Sequence, residues 1–398
     1  MNNSLHFVHI RASTTIGIVS EILRLALIRA NYLAVPYMPI RIEWLKPFRR
    51  SVYPTVISHS ILAPMLTRKE GVAISFEFAK AFLDQLFDDL RNRFRLRATA
   101  SQRVPKGQYS LYFSATEGKI VNVPEEGRVG ELRRLARAVR NFGPVTLPET
   151  LDVICQKKLE ILGVAADEWF VCLHVRTSTF HSDGEKYRNS SFGNYIDAID
   201  LIIGLGGKVI RMGEPDSDID VMYKGGLINY PDSMLKSEQM DLYLIKHCKF
   251  YIGTTSGILD TAYLFQTPTL CTNATHFDFR SSGKYDKVLF KGVVYKRTNT
   301  NLNFYQMMVH YEEIMHHGWQ RDYLYVENSS EQILAATKEF IYDLHGNLKI
   351  NNAQWKARRQ LIRKRLSVAD RKNEGKSMLA ASIAFSRCHI SSVLLSEV

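Results

Sequence analysis

Between Trp169 and Val175 the chain reads Trp-Phe-Val-Cys-Leu-His-Val, apolar throughout except for His174. A short unbroken run of this kind predicts a strand buried on both faces, as in the middle of a parallel sheet. Beyond it, apolar residues switch repeatedly between helical spacing and short runs. Helices are expected over 194–205, 239–248 and 259–265, and strands over 208–212, 227–230, 250–252 and 268–271. Gly206-Gly207 closes the first of these helices. A strand at Tyr323–Val326 and a helix from a Ser329 cap to Leu344 complete the series. Short strands alternating with helices predict a parallel, doubly wound sheet.

The first half carries a weaker pattern. Leu5–Ile10 reads as a strand, residues 11–17 as a polar loop, and Ile18–Tyr32 as an amphipathic helix. Strand, glycine-containing loop and helix form the opening unit of a Rossmann-like domain. Further helices are expected over 72–90 and 125–141, with a short strand over 109–113. Thr146-Leu-Pro-Glu149 has the form of a capping box opening a helix to Leu162. A chain of 398 residues exceeds what one core organises. The expected division is 1–165, 166–345 and a basic helical extension over 346–398, which includes an amphipathic helix at 352–366.

Charge changes this picture in one respect. Residues 1–168 hold 24 Lys/Arg against 16 Asp/Glu, residues 169–345 hold 17 against 21, and residues 346–398 hold 11 against 3. Basic ends around a mildly acidic middle attract phosphates, anionic membrane or nucleic acid. The alternating arginines at 91, 93, 95 and 97 and the basic helix near 356–365 belong to those ends. No nucleic-acid module accompanies them, so nucleic acid is not expected as a partner. The five cysteines, at 155, 172, 248, 271 and 388, form no CxxC pair. That pattern fits a reducing compartment and argues against a disulfide frame or zinc site. The apolar run 16–28 is broken by Glu21 and Arg24, which fits a buried helix better than a signal peptide. With no uninterrupted apolar stretch of membrane-spanning length, a cytoplasmic location is expected, with peripheral contact at an anionic membrane face as the extension of that view.

The chemistry concentrates where the predicted strands end. Ligands of open parallel sheets bind outside the carboxyl ends of the strands, and His174-Val175-Arg176 stands at one such end. A guanidinium matches phosphate oxygens and would stabilise charge developing on a departing diphosphate; pairing with a carboxylate at the sheet edge is the plainer alternative. Gly253-Thr254-Thr255-Ser256-Gly257 joins a strand to a helix and could offer hydroxyls and backbone N–H groups to an anion. It is neither a P-loop nor a nucleophile elbow. Tyr187, Arg188 and Asn189 follow the His-Val-Arg strand, Arg211 and Gly213 end the next one, and Asp241 and Tyr243 lie on the following helix. For Asp241 and Tyr243, capping and packing are the slightly favoured roles.

The run VCLHVRTSTF…YRNSSFGNYIDAID…GGKVIRMGEP…INYP…MDLYLIKHCKFYIGTTSG resembles a family of bacterial glycosyltransferases associated with surface polysaccharide synthesis. More distantly it resembles the fucosyltransferase-like group with a His-x-Arg motif. The resemblance covers residues 169–272, and more loosely the opening IRASTTIGIVSEILRLAL. It implies a GT-B fold of two Rossmann-like domains, with a nucleotide-sugar donor on the second and a glycan or lipid-linked acceptor on the first. It also implies transfer without a metal or other cofactor. Arg176 would take the donor phosphates, His174 would shape the pocket, and Thr254, Thr255, Ser256 and Gly257 would face the nucleotide or diphosphate. Thr15, Gly17 and His9 are the acceptor-side candidates. The distant group often has a basic residue after its His-x-Arg; Thr177 stands there in this chain, which departs from a GDP-fucose pattern.

Four other readings compete. Asp216-Ser-Asp218-Ile-Asp220 could hold a divalent metal on a diphosphate, although a solvated acidic loop is favoured. His310, Glu313 and His317 share one face of a helix expected over Phe304–His317, at metal-ligating spacing and without a matching partner motif; a surface or interface helix is favoured. The same architecture would also serve a nucleotide-sugar epimerase or hydrolase, or, in a different class, the chain would be a non-catalytic binder of anionic polymers or nucleic acid.

Overall fold

The computed structural model describes residues 6–11, 20, 24, 28, 37–42, 58–59, 137, 139–141 and 145–147 of the first 148 positions. Of the remainder it describes 149–177, 183–216, 225–275, 283–315, 322–371 and 389–395. The chain divides into two compact units, Met1–Pro148 and Glu149–Val398.

In the first unit β1 (His6–Arg11) runs parallel to β2 (Tyr37–Ile42), with His6 opposite Tyr37 and Arg11 opposite Ile42. Between them Ser20, Arg24 and Ile28 are helical and buried. Their spacing places them on one stripe of the helix. Strand, helix and parallel strand make a βαβ unit, as the opening pattern predicts. Arg24, which interrupts the apolar run in the sequence, is itself fully buried. A two-residue strand β3 (Ser58–His59) pairs antiparallel with β4 (Val145–Thr146). Thr146 is thus a strand residue, and the helix it was expected to cap, α1, spans Glu149–Ile161. The elements expected over 72–90 and 109–113 lie outside the described residues, as do Thr15 and Gly17. Of the expected 125–141 helix, residues 137, 139, 140 and 141 are described; the first three are helical and Asn141 lies past the helix end.

The second unit is an α/β fold on a parallel sheet. In chain order come β5 (Phe170–His174), α2 (Ile196–Gly204), β6 (Lys208–Arg211), β7 (Leu227–Asn229), α3 (Glu238–His247), β8 (Phe250–Gly253), α4 (Gly257–Phe265), β9 (Thr269–Ala274) and β10 (Lys287–Phe290). With the late strand β14 (His389–Ile390) at one edge, the sheet order is β14-β10-β9-β8-β5-β6-β7, and every neighbouring pair is parallel. β5 and β8 are largely apolar, β9 mixes apolar residues with Thr269, Thr272 and Asn273, and all three are almost wholly buried along their length.

The order of connections matters for function. From β5 the chain moves outward to β6 and β7, then returns through α3 to β8 on the other side of β5 and continues to β9 and β10. Because parallel crossovers are right-handed, reversing direction sends α2 and the later helices to opposite faces. The packing agrees: α2 packs with α7 (Ser330–Tyr342), whereas α3 packs with α1 and α4. The reversal lies between β5 and β8, the topological switch point of the sheet.

Two features depart from the predicted pattern. After β10 a single residue, Lys291, leads into β11 (Gly292–Tyr295), which joins β12 (Thr300–Leu302) and β13 (Tyr323–Val326) in a separate antiparallel sheet. Tyr323–Val326 is therefore not part of the parallel series, because β11 offers it an antiparallel partner. The helix expected over 304–317 is two, α5 (Phe304–Val309) and α6 (Tyr311–Met315), broken at His310. Helix α8 (Asn352–Arg371) extends the predicted basic helix, and the tail returns as β14 (His389–Ile390) beside β10, followed by α9 (Ser392–Leu395).

The amino-terminal edge of the sheet is closed by buried charge. Lys287, 1% exposed, lies 2.7 Å from Glu339 and 2.6 Å from Asp343. Glu339 also accepts the Ser391 hydroxyl and the Ser392 N–H, which ties the returning tail to α7. Among the described residues no helix is long and apolar enough to cross a membrane.

Candidate functional site

At the switch point β5 and β8 end side by side, with His174 opposite Gly253. The approach is close: a Cβ on Gly253 would stand 2.9 Å from the His174 carbonyl oxygen and 2.7 Å from the Tyr251 ring. Past the strands the two loops are laced together. Thr254 N–H donates to the His174 carbonyl at 3.1 Å, and Arg176 N–H donates to Thr254 Oγ1 at 3.1 Å. The His174 ring turns its Nδ1 to the Ser256 hydroxyl at 3.2 Å and lies against Gly213, whose missing Cβ would be 3.1 Å from the ring. Ser256 occupies the N-cap position of α4 but makes no side-chain cap there. Its hydroxyl is spent on the histidine instead.

Cationic side chains gather around this junction. Arg176 is 6% exposed and donates through Nη1 to Asn189 Oδ1 at 2.7 Å, while its carbonyl accepts Ser190 N–H at 2.9 Å. Arg188 Nη2 donates to the Thr255 carbonyl at 2.9 Å. Lys291, at the end of β10, is 3% exposed and donates to the Asn189 carbonyl at 2.5 Å. The Ser190 hydroxyl is buried beside them with no hydrogen-bond partner among the described residues.

The electrostatics follow from burial and like charge. Burial pushes the His174 pKa down to about 4, helped by Arg211, Lys236, Arg176 and Arg188. The ring is therefore neutral near pH 7 and acts as a hydrogen-bonding group rather than a cation. Burial also pulls Lys291 down to about 8; Glu327 opposes the shift and Arg176 adds to it.

A buried polar frame supports the loops. Asn273 and Asn328 exchange bonds, each backbone N–H donating to the other's side-chain oxygen at 2.6 and 2.7 Å. Asn273 Nδ2 reaches the Tyr195 hydroxyl at 3.0 Å, and that hydroxyl meets Thr272 Oγ1 at 2.8 Å. Asn273 holds a φ of +49° to do this, a conformation asparagine tolerates better than most residues. Glu327 accepts Ser191 N–H at 2.8 Å, and Tyr187 stacks on Tyr325 with ring centroids 5.8 Å apart. The Tyr187–Asn194 segment is thereby anchored to the strand–helix junction after β13.

Of the residues singled out in the sequence, His174, Arg176, Arg188, Asn189, Thr254, Thr255, Ser256 and Gly213 are brought together here. Arg211 lies beside them but its donors go to Asn229 Oδ1 at 2.6 Å and the Glu214 carbonyl at 3.0 Å. Asp241 binds Lys236 at 2.9 and 2.6 Å, and Tyr243 points its hydroxyl to Gln156 on α1. Asp216 is buried near Arg211, while Asp218 and Asp220 lie outside the described residues. His9 is in β1 of the first unit. His310 and Glu313 meet at 3.3 Å, with His317 outside the described residues; no metal-holding cluster occurs among those described. Lys291, Lys236 and Glu327 were not anticipated. A lysine closing a Val-Leu-Phe run was the available signal for Lys291.

No protein-family model matches this chain, and no curated protein matches it. Among solved structures it is similar to a glycosyl transferase family 9 protein from Veillonella parvula DSM 2008, at 14% sequence identity and a TM-score of 0.34. That alignment covers 54% of this chain and 59% of the other, less than two thirds of its length. At this level the likeness adds nothing to the geometry of the site.

Proposed function

We propose that the chain is a glycosyltransferase whose donor, a nucleoside diphosphate sugar, is held by its diphosphate at the carboxyl edge of the sheet between β5 and β8. The observation that carries this reading is the placement of Arg176. It stands two residues past the end of β5, at the switch point where open parallel sheets bind ligands, and its side chain is held by Asn189 Oδ1 at 2.7 Å. Arg188 and Lys291 add positive charge, and the Ser190 hydroxyl, without a partner among the described residues, offers a further donor.

In this reaction the bond between the sugar's anomeric carbon and the diphosphate oxygen breaks, and the diphosphate leaves with the electron pair. An acceptor hydroxyl bonds to the same carbon and gives up its proton. Charge grows on the diphosphate as it departs, so a cation fixed in advance favours the transition state over the bound donor. His174, neutral and bonded to Ser256, orients the loop rather than supplying charge. Side-chain cations provide the counter-charge, so the proposed transfer needs no metal. A glycan or lipid-linked glycan is the proposed acceptor, with the first unit, including His9, Thr15 and Gly17, as its side of the reaction.

The test is a melting-shift screen of nucleotide sugars with the full chain, with and without a chelator, followed by transfer assays with glycan acceptors. A stabilising donor whose effect survives chelation is expected. Replacing Arg176 by alanine should lower kcat/KM by about 2–4 kcal/mol of transition-state energy. A loss of only a few-fold would refute the phosphate role, and a shift abolished by chelation would turn attention to Asp216–Asp220. Donor turnover without transfer to any acceptor would favour a hydrolase or epimerase.

A further inference from the structure

Asn189 holds two cations with its two carbonyl oxygens. Its side-chain oxygen accepts from Arg176 at 2.7 Å and its backbone oxygen accepts from the Lys291 ammonium at 2.5 Å. The two arrive from distant parts of the fold, Arg176 after β5 and Lys291 after β10. Lys291 is 3% exposed, yet among the described residues no carboxylate lies within ion-pair distance of it. Its nearest compensation is the longer-range influence of Glu327, which binds Ser191 and Asn194 instead. Taking an ammonium out of water without a counter-ion is unfavourable, and placing it near a guanidinium adds repulsion. A dianionic ligand with linked charges relieves both costs.

We infer that Lys291 is a second phosphate-binding cation and that Asn189 sets its spacing from Arg176, so that the site selects two bridged phosphates over a single one. This rests on the diphosphate reading above and adds to it a residue pair and a ligand preference. A lone phosphate engages one cation; pyrophosphate engages both. Lys291 is an ammonium on a flexible stem and follows a non-reacting phosphate, while the planar Arg176 fork takes the other. Among the described residues, the groups that act on Lys291 are Asn189, Arg176 and Glu327. Its pKa of about 8 means that its charge is lost as the solution becomes alkaline, unless a bound anion holds the proton.

The experiment is calorimetric titration of the full chain with inorganic pyrophosphate and, separately, inorganic phosphate. Wild type should prefer pyrophosphate. Lys291→Met should weaken pyrophosphate on the order of tenfold to a hundredfold and leave phosphate nearly unchanged. Asn189→Ala should weaken pyrophosphate with both cations still present. Lys291→Arg should restore part of the affinity. On raising the pH through about 8, the ratio of wild-type to Lys291→Arg affinity should fall, which a merely structural lysine would not produce; the ratio cancels the titration of pyrophosphate itself. Unchanged pyrophosphate binding in Lys291→Met, with Arg176→Ala still defective, overturns this inference and leaves the diphosphate reading standing. No pyrophosphate or nucleotide binding by wild type overturns both. Should Lys291→Met fail to fold, the Asn189→Ala titration and the pH ratio decide the matter.

Discussion

Lys287 and Lys291 stand at the two ends of one short strand, both buried, and they are treated in opposite ways. Lys287, at the amino-terminal edge of the sheet, lies within 2.7 Å of Glu339 and 2.6 Å of Asp343. Lys291, at the carboxyl edge, has a neutral carbonyl oxygen of Asn189 at 2.5 Å. Burial of a cation is tolerated where its charge is cancelled, so the first lysine belongs to the framework. The second is left with its charge at the edge where parallel sheets bind their ligands. Residue type and burial alike fail to separate the two; only the partners do.

The largest test of this contrast is stability. Lys287→Met removes one member of a buried triad and strands two carboxylates, which should lower unfolding free energy by about 3–5 kcal/mol. Urea denaturation measures it, and neutralising Glu339 and Asp343 together with Lys287 should recover much of the loss. Lys291→Met removes an uncompensated cation and should change ligand-free stability by less than about 1 kcal/mol, or raise it. Equal losses in the two variants would erase the distinction between the edges.

A second contrast concerns two histidines. His174, at the carboxyl edge, and His389, in β14, are each pushed down to about 4, chiefly by burial. Next in effect come Arg211 and Lys236 for His174, and Arg358 for His389. The unfolded chain takes up these protons near the ordinary value of 6.5, the folded chain only near 4. Between those values the unfolded state binds more protons, so stability falls as pH is lowered from 6.5 towards 4 and is retained above that window. Each ring accounts for on the order of 3 kcal/mol of that acid loss. His174→Asn and His389→Asn should each flatten the curve of stability against pH. Pyrophosphate should raise the His174 pKa by cancelling nearby positive charge and leave His389 untouched, as imidazole NMR titrations would report.

Much of this architecture could be read from the chain, and what could not has identifiable physical causes. β5 and β8 are apolar runs whose burial needs no distant partner to explain it, β6 is marked by the glycines on either side of it, and the cap expected at Ser329 forms, with Gln332 completing it reciprocally. Arg176, Arg188 and Asn189 were legible because they follow a recognisable strand. β10 was not, because a lysine at each end makes it look exposed. Lys287 becomes buriable through carboxylates more than fifty positions later in the chain, and Lys291 through a loop a hundred positions earlier. β14 is two residues long and gains meaning only beside β10. Tyr323–Val326 has an apolar pattern that suits either kind of sheet, and its partner β11 decided which.

The smallest expected effect isolates the carboxyl edge most cleanly. Gly213 and Gly206 both hold positive φ, +109° and +82°, after and before β6 respectively, at opposite edges of the sheet. Substituting alanine at either should cost about 1–2 kcal/mol of backbone strain. Around Gly206 nothing lies within 4 Å of the added carbon, whereas at Gly213 it would press on the His174 ring at 3.1 and 3.2 Å. The ring is bonded to Ser256 in the Thr254–Gly257 turn, and Thr254 in turn receives the Arg176 N–H. Gly213→Ala should therefore weaken pyrophosphate binding beyond its effect on stability, and Gly206→Ala should leave binding unchanged at a similar melting temperature. If the two variants lose stability and affinity in equal proportion, the packing of His174 has no part in shaping the anion site, and the cations around it act on their own.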